Sequence, residues 1–206
     1  MNSNAVSSTV GFQDWLLILL LGFIWGGSFF FNAVAVDGMH PLMVVFLRVA
    51  VAAVLLWVVL VARKEVAKPT LSLWAAFITM GLLNNAIPFF CIVWGQQHIA
   101  SGLASVLNAT TPLFTVVFAS WLLNDEALTK NKMVGVVLGI MGVALMMSSD
   151  LQSGMSASLL GQALILAAAI SYAFAGIFGR RCNYRYMGVS AGLGNGVYCI
   201  CVFALL

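Results

Sequence analysis

The stretch WLLILLLGFIWGGSFFFNAVAV, residues 15–36, runs for 22 positions without an acid or a base. At about 1.5 Å of rise per residue such a helix is about 33 Å long, enough to cross the roughly 30 Å hydrocarbon core of a bilayer. The preceding residues, 1–14, are polar and hold no Lys or Arg, so the basic flank of a secretory signal is missing. Ala33-Val34-Ala35 resembles a cleavage box, but the apolar run before it is too long for a signal core. The stretch reads as an uncleaved first membrane helix.

The same pattern recurs along the chain. Further apolar windows cover residues 41–62, 73–94, 102–123, 133–148, 159–179 and 189–206, which makes seven visible spans in all. The whole chain of 206 residues is 63% hydrophobic and 7% charged, with a mean hydropathy of +1.07. A soluble domain carries about 25% charged residues, so this surface is built for lipid. The fold class is therefore all-α, a polytopic membrane helix bundle whose first partner is the lipid bilayer. A net charge of +3 without a basic run leaves no stripe to track phosphates, which excludes nucleic acid as a partner.

The loop charges orient the bundle. The second, fourth and sixth connectors hold Arg63, Lys64, Lys68, Lys130, Lys132, Arg180, Arg181 and Arg185, whereas the first, third and fifth hold no Lys or Arg. By the positive-inside rule the even connectors and the N-terminal segment, 1–14, face the cytoplasm. A plasma membrane location follows, the inner membrane if the source is bacterial. The last window stops at Leu206, still apolar and without a flanking anchor, from which a C-terminally truncated chain is expected.

Two stretches resemble each other: Asp14-Trp15 through Trp25-Gly26-Gly27-Ser28, and Gly161-Gln162 through Ser171-Tyr172-Ala173-Phe174. Trp25 and Tyr172 are 147 residues apart. Five spans separate the two starts, and an odd number sends the second copy into the membrane from the opposite side, as in inverted-repeat transporters.

The run Trp25-Gly26-Gly27-Ser28-Phe29-Phe30, the Pro41 to Arg48 opening, Ser101-Gly102-Leu103-Ala104-Ser105 through Thr111-Pro112, and Glu126 followed by Gly135, Gly139 and Gly142 together resemble the EamA family of the drug/metabolite transporter superfamily. The resemblance covers one five-helix repeat, residues 15–148, and the start of a second, residues 159–206. It implies a ten-span inverted-repeat carrier of small metabolites, amino acids among them, often moved outward. By that pattern about three spans lie beyond this sequence.

Candidate site residues follow from polarity at membrane depth. Arg48 stands seven residues past Pro41, about 10 Å into its helix, where a charge costs a few kcal/mol. Its partner is a helix-end carbonyl, a headgroup phosphate reached by snorkelling, or an anionic substrate group. Trp25, Ser28 and Asn32 share a helix face at spacings of three and four, as a cavity wall or as interhelical hydrogen bonds. The fourth span shows a small-residue stripe, Ser101, Ser105, Asn108, Pro112, Thr115 and Ala119, read as a packing seam with only Asn108 a candidate ligand. Tyr172, the repeat counterpart of Trp25, completes the substrate-binding set.

Pro88 and Pro112 each remove a backbone donor and are expected to kink their helices, freeing carbonyls that need polar partners. Asn84 and Asn85 precede Pro88 by one turn, and Asn108 precedes Pro112 by one turn, so amides and kinks coincide twice. The GxxxG at Gly135 and Gly139 reads as a close-packing face, and Thr129 as an N-cap. Gly192-Leu193-Gly194-Asn195-Gly196 lies inside an apolar run without a preceding strand and is no nucleotide loop.

Neither HExxH, a serine triad nor an intramembrane carboxylate pair is present in the sequence, so an enzyme has no visible catalytic set. Cys91, Cys182, Cys199 and Cys201 lack the spacing and histidines of a zinc site, and neither a metal nor another cofactor is expected. The leading expectation is a secondary transporter of small molecules such as amino acids or related carboxylates, exporting by alternating access. The competing one is a non-transporting membrane protein or inactive fragment acting as an assembly partner. A homodimer stays open as its assembly.

Overall fold

The computed structural model describes residues 11–62, 71–123, 129–153 and 156–186, and every regular element among them is helical. Helix α1 covers Phe12–Gly38 and α2 covers Pro41–Ala62. The third pass is composite: α3, Leu71–Gly81, continues through a single π-helical turn, Leu82–Ala86, into α4, Ile87–Gly95. The fourth is interrupted, with α5 over Ser101–Asn108 and α6 over Thr111–Leu122. Helices α7, Lys130–Ser153, and α8, Ser156–Tyr186, complete the described chain.

Among the described residues six passes are long and apolar enough to cross a membrane. They coincide with the first six apolar windows. The expected seventh, residues 189–206, lies outside the described residues, as does Glu126. Three connectors differ from the sequence reading: α7 opens at Lys130, so Lys130 and Lys132 of the fourth are helical, and the fifth and sixth are shortened too. Helix α7 runs on to Ser153 and α8 on to Tyr186, so Ser149, Arg180, Arg181 and Arg185 are helical rather than loop. Hydropathy marks where apolar side chains end, whereas backbone hydrogen bonding carries a helix past that boundary into polar sequence. Thr129 caps α7 as expected, accepting from the Lys132 N–H at 3.4 Å.

Helix α8 is the centre of the bundle. Half of its membrane window is buried, 50%, against 11% for α1 and 6% for α7. Its most extensive contact is with α4, followed by α6 and α5. Alanines make this possible: Ala168, Ala169 and Ala173 are fully buried, and small side chains let helix backbones approach where no water drives association. Phe29, Ile92, Leu107 and Ile165 interlock in the core that joins α1, α4, α5 and α8. The outward faces of α1, α2 and α7 expose Leu, Ile, Val and Phe, as a lipid-facing surface should.

One backbone-to-backbone crossing was not singled out in the sequence. A Cβ on Gly95 would meet the Gly161 carbonyl oxygen at 2.9 Å, and one on Gly161 would meet the Gly95 carbonyl oxygen at 2.9 Å. Two backbones therefore touch where α4 ends and α8 begins. The expected GxxxG face is only half used: a Cβ on Gly139 would run into the Leu113 side chain, while one on Gly135 has nothing described within 4 Å. The neighbour, α6, reaches one of the two glycines and not the other. Gly135→Ala should accordingly leave thermal stability in detergent unchanged or raise it by up to about 1 kcal/mol through helix propensity. Gly139→Ala should lower it by about 1 kcal/mol, near the low end of overpacking because the Leu113 end can rotate.

Candidate functional site

Pro88 and the π-turn are two parts of one arrangement. In the turn the Ile87 N–H bonds back to the Leu82 carbonyl, five residues earlier. By the same register the Leu83 carbonyl would look to residue 88, which is a proline with no N–H to give. Ser171 of α8 supplies the missing donor, its hydroxyl reaching the Leu83 oxygen at 2.7 Å. The carbonyl expected from the sequence to need a polar partner thus finds one across the bundle. At the second proline the helix stops altogether: α5 ends at Asn108 and α6 opens with Thr111 and Pro112. Here the Asn108 carbonyl, which Pro112 cannot serve, accepts from the Thr111 hydroxyl at 2.8 Å.

Both irregularities border one cavity of about 910 Å³. Helix α1 contributes Trp25, Ser28 and Asn32 to its wall, and α2 contributes Arg48. The π-turn adds Asn84 and Asn85, α5 adds Asn108 and α8 adds Tyr172. All eight residues selected in the sequence therefore line the same space, although they come from five different passes. Pro112 lines it too, whereas Pro88 is buried beside it. Trp25, 55% exposed, is the most open of the eight, and Asn32 and Asn108 are the most enclosed, at 8% and 6%.

Arg48 has partners that the sequence did not anticipate. Its Nη1 donates to Asn32 Oδ1 at 3.1 Å, and its guanidinium carbon stands 4.4 Å from the centroid of the Phe89 ring. An amide oxygen and the negative face of an aromatic ring together solvate the cation without neutralising it. The site keeps its positive charge, available to an anion. Asn32 is thus committed to Arg48, while Ser28 and Trp25 of the same face stay with the cavity.

Phe89, Ser105 and Thr111 were missed as wall residues. Phe89 follows Asn85 by four positions, so helical spacing alone could have flagged it. Ser105 and Thr111 flank Asn108, and the small-residue stripe that contains Ser105 was read as packing. The stripe is in part both: Asn108 and Ala119 are buried, while Ser105, Asn108 and Pro112 border the cavity. At the outer edge of the core Gln96 donates from Nε2 to the Phe29 carbonyl at 2.8 Å and ties α4 to α1.

Interrupted membrane-crossing helices around a cavity with polar side chains on its wall resemble the discontinuous helices found at transporter binding sites. Residues 15–148 match the EamA-like transporter family, and the chain belongs to that family. It is 32% identical over 176 residues to the uncharacterized inner membrane transporter YedA of Escherichia coli, covering 85% of this chain and 55% of that protein. It is 27% identical over 163 residues to the uncharacterized transporter YoaV of Bacillus subtilis, covering 79% of this chain and 56% of the relative. A probable amino-acid metabolite efflux pump of Escherichia coli is 31% identical over 169 residues, covering 82% of this chain and 54% of that protein. The chain spans about half the length of the curated relatives it matches. No solved structure matches it significantly.

Proposed function

We propose that the chain is the larger part of a secondary carrier that moves amino acids or related carboxylates outward across the bacterial inner membrane, by alternating access, with its N-terminus cytoplasmic. The observation that carries this reading is the cavity in which Arg48, the one cation among its described wall residues, stands among the amides Asn84, Asn85 and Asn108 and the aromatics Trp25 and Tyr172. Such a wall offers an anion one strong partner and a polar remainder several weaker ones, without a bound cofactor. Family membership supports the carrier class, and the relative named as an amino-acid metabolite efflux pump supports the substrate class and the direction. Inner-membrane placement draws on the name of another relative, and the orientation on the loop charges.

The test is counterflow. Proteoliposomes holding the full chain and preloaded with unlabelled amino acid should accumulate the labelled one with saturable, solute-specific kinetics. Uptake that rises linearly with concentration and shows no preloading effect would replace the carrier with a membrane protein that does not transport.

A further inference from the structure

The broken fourth pass turns its hydroxyl protons back onto its own helix. Ser105 donates to the Gly102 carbonyl at 2.8 Å and Thr110 to that of Leu107 at 2.6 Å. Thr111 donates to the Asn108 carbonyl at 2.8 Å and Thr115 to that of Thr111 at 2.8 Å. A hydroxyl has one proton and two lone pairs, so what each of these groups offers to anything else is an acceptor. Ser105 and Thr111 offer it to the cavity they line.

Asn108 stands between them. It lines the cavity at 6% exposure, and its buried Oδ1 has no hydrogen-bond donor among the described residues. A buried carbonyl left in that state costs the desolvation of the group until something donates to it. Arg48 does not fill the need, since its recorded partners are Asn32 and Phe89. Two hydroxyl acceptors and an unmet amide oxygen thus lie on the wall of a cavity whose charged lining residue, among the described residues, is a cation.

We propose that the α5–α6 break is a subsite for a compact monovalent cationic centre, held by Asn108 Oδ1 together with the Ser105 and Thr111 hydroxyl oxygens. The centre is either the ammonium group of an amphoteric substrate whose carboxylate faces Arg48, or a free sodium ion. The proposal rests on the carrier reading above and adds the second half of the ligand: the site selects molecules that carry both charges over simple carboxylates, or it couples to an ion.

Thermal stabilisation of the purified full chain reads binding without requiring transport. The probes are leucine and phenylalanine, their deaminated carboxylates 4-methylpentanoate and 3-phenylpropanoate, and 3-methylbutan-1-amine, each in sodium chloride or choline chloride. With the ammonium as ligand, the amino acids should bind at least tenfold more tightly than the deaminated acids in either salt. Asn108→Ala should bring that ratio below twofold, and Asn108→Asp should tighten the amine at least tenfold, which keeps a readable gain if the alanine variant folds poorly. With sodium as ligand, both acids bind alike, only in sodium, and Asn108→Ala removes the sodium dependence. Amino-acid preference and sodium response that are both indifferent to Asn108 overturn the subsite, while saturable counterflow in the same preparation would leave the carrier reading standing. If no probe binds and none shows counterflow, both fall.

Discussion

Arg48→Gln is expected to lower carboxylate counterflow by one to two orders of magnitude while the folded yield is kept. Hydrogen bonds to a charged group contribute about 1.5–3 kcal/mol, and each 1.4 kcal/mol is about a factor of ten. Among the described residues Arg48 is the one cation on the cavity wall, so a carboxylate that loses it has no replacement there. Glutamine keeps an N–H donor on a shorter side chain, so the α1–α2 hydrogen bond to Asn32 Oδ1 is weakened or lost at a cost of about 1 kcal/mol, too little to unfold the bundle. It also removes a membrane-embedded charge that costs about 2.5–3.5 kcal/mol on insertion scales. Insertion should therefore suffer little, and activity and yield should part company. Initial rates of counterflow, normalised to monodisperse protein, decide the matter. Unchanged rates would make Arg48 a purely structural cation, and Arg48→Lys should fall between, keeping charge but losing the planar fork.

Gly161→Val is expected to do the opposite, destroying the fold before it touches the cavity. Its added atoms would meet the Gly95 carbonyl oxygen at 2.9 Å and the His98 Cβ at 3.0 Å. Neither is the end of a flexible chain, so relief requires moving α8 off α4, the bundle's most extensive contact. Overpacking a tight site costs about 1–3 kcal/mol for a modest insertion. A branched side chain against backbone belongs at or above the top of that range. The thermal midpoint in detergent should drop by several degrees or the variant should fail to accumulate, with Gly161→Ala less affected. A Gly161→Val protein as stable as the parent would mean that the two helices do not cross there.

The sequence shows why some of this was legible and some was not. Passes are set by apolar runs long enough to span lipid, and those runs are visible in residues 15–36 and in each window that the structure describes. The cavity wall was legible because polar side chains at membrane depth are costly and so turn inward, which brought Asn32, Asn84, Asn108 and Arg48 into view. Hydrophobic wall residues pay no such cost, so polarity gave no sign of Phe89, and only its spacing of four from Asn85 pointed to it. The pairing of Arg48 with Asn32 joins two residues on different helices, and spacing within one helix carries no signal of it. Nor does the Gly95–Gly161 crossing show in a motif, since neither glycine has another glycine within four residues on its helix. The GxxxG misled at Gly135 for the converse reason: spacing places two glycines on one face but does not say which neighbour is near enough to need them.

The π-turn at Leu82–Ala86 leaves α3 and α4 like two lengths of screw joined out of phase. Each residue in a helix turns the face by about 100°, so one residue more or fewer in the turn would rotate everything after it by that amount. Phe89 would then leave Arg48, and Gly95 would leave Gly161. Along this pass the number of residues is consequently held more strictly than their identity: exchanges of one apolar side chain for another leave the phase alone, whereas a single insertion or deletion misaligns the cavity and the helix crossing at once.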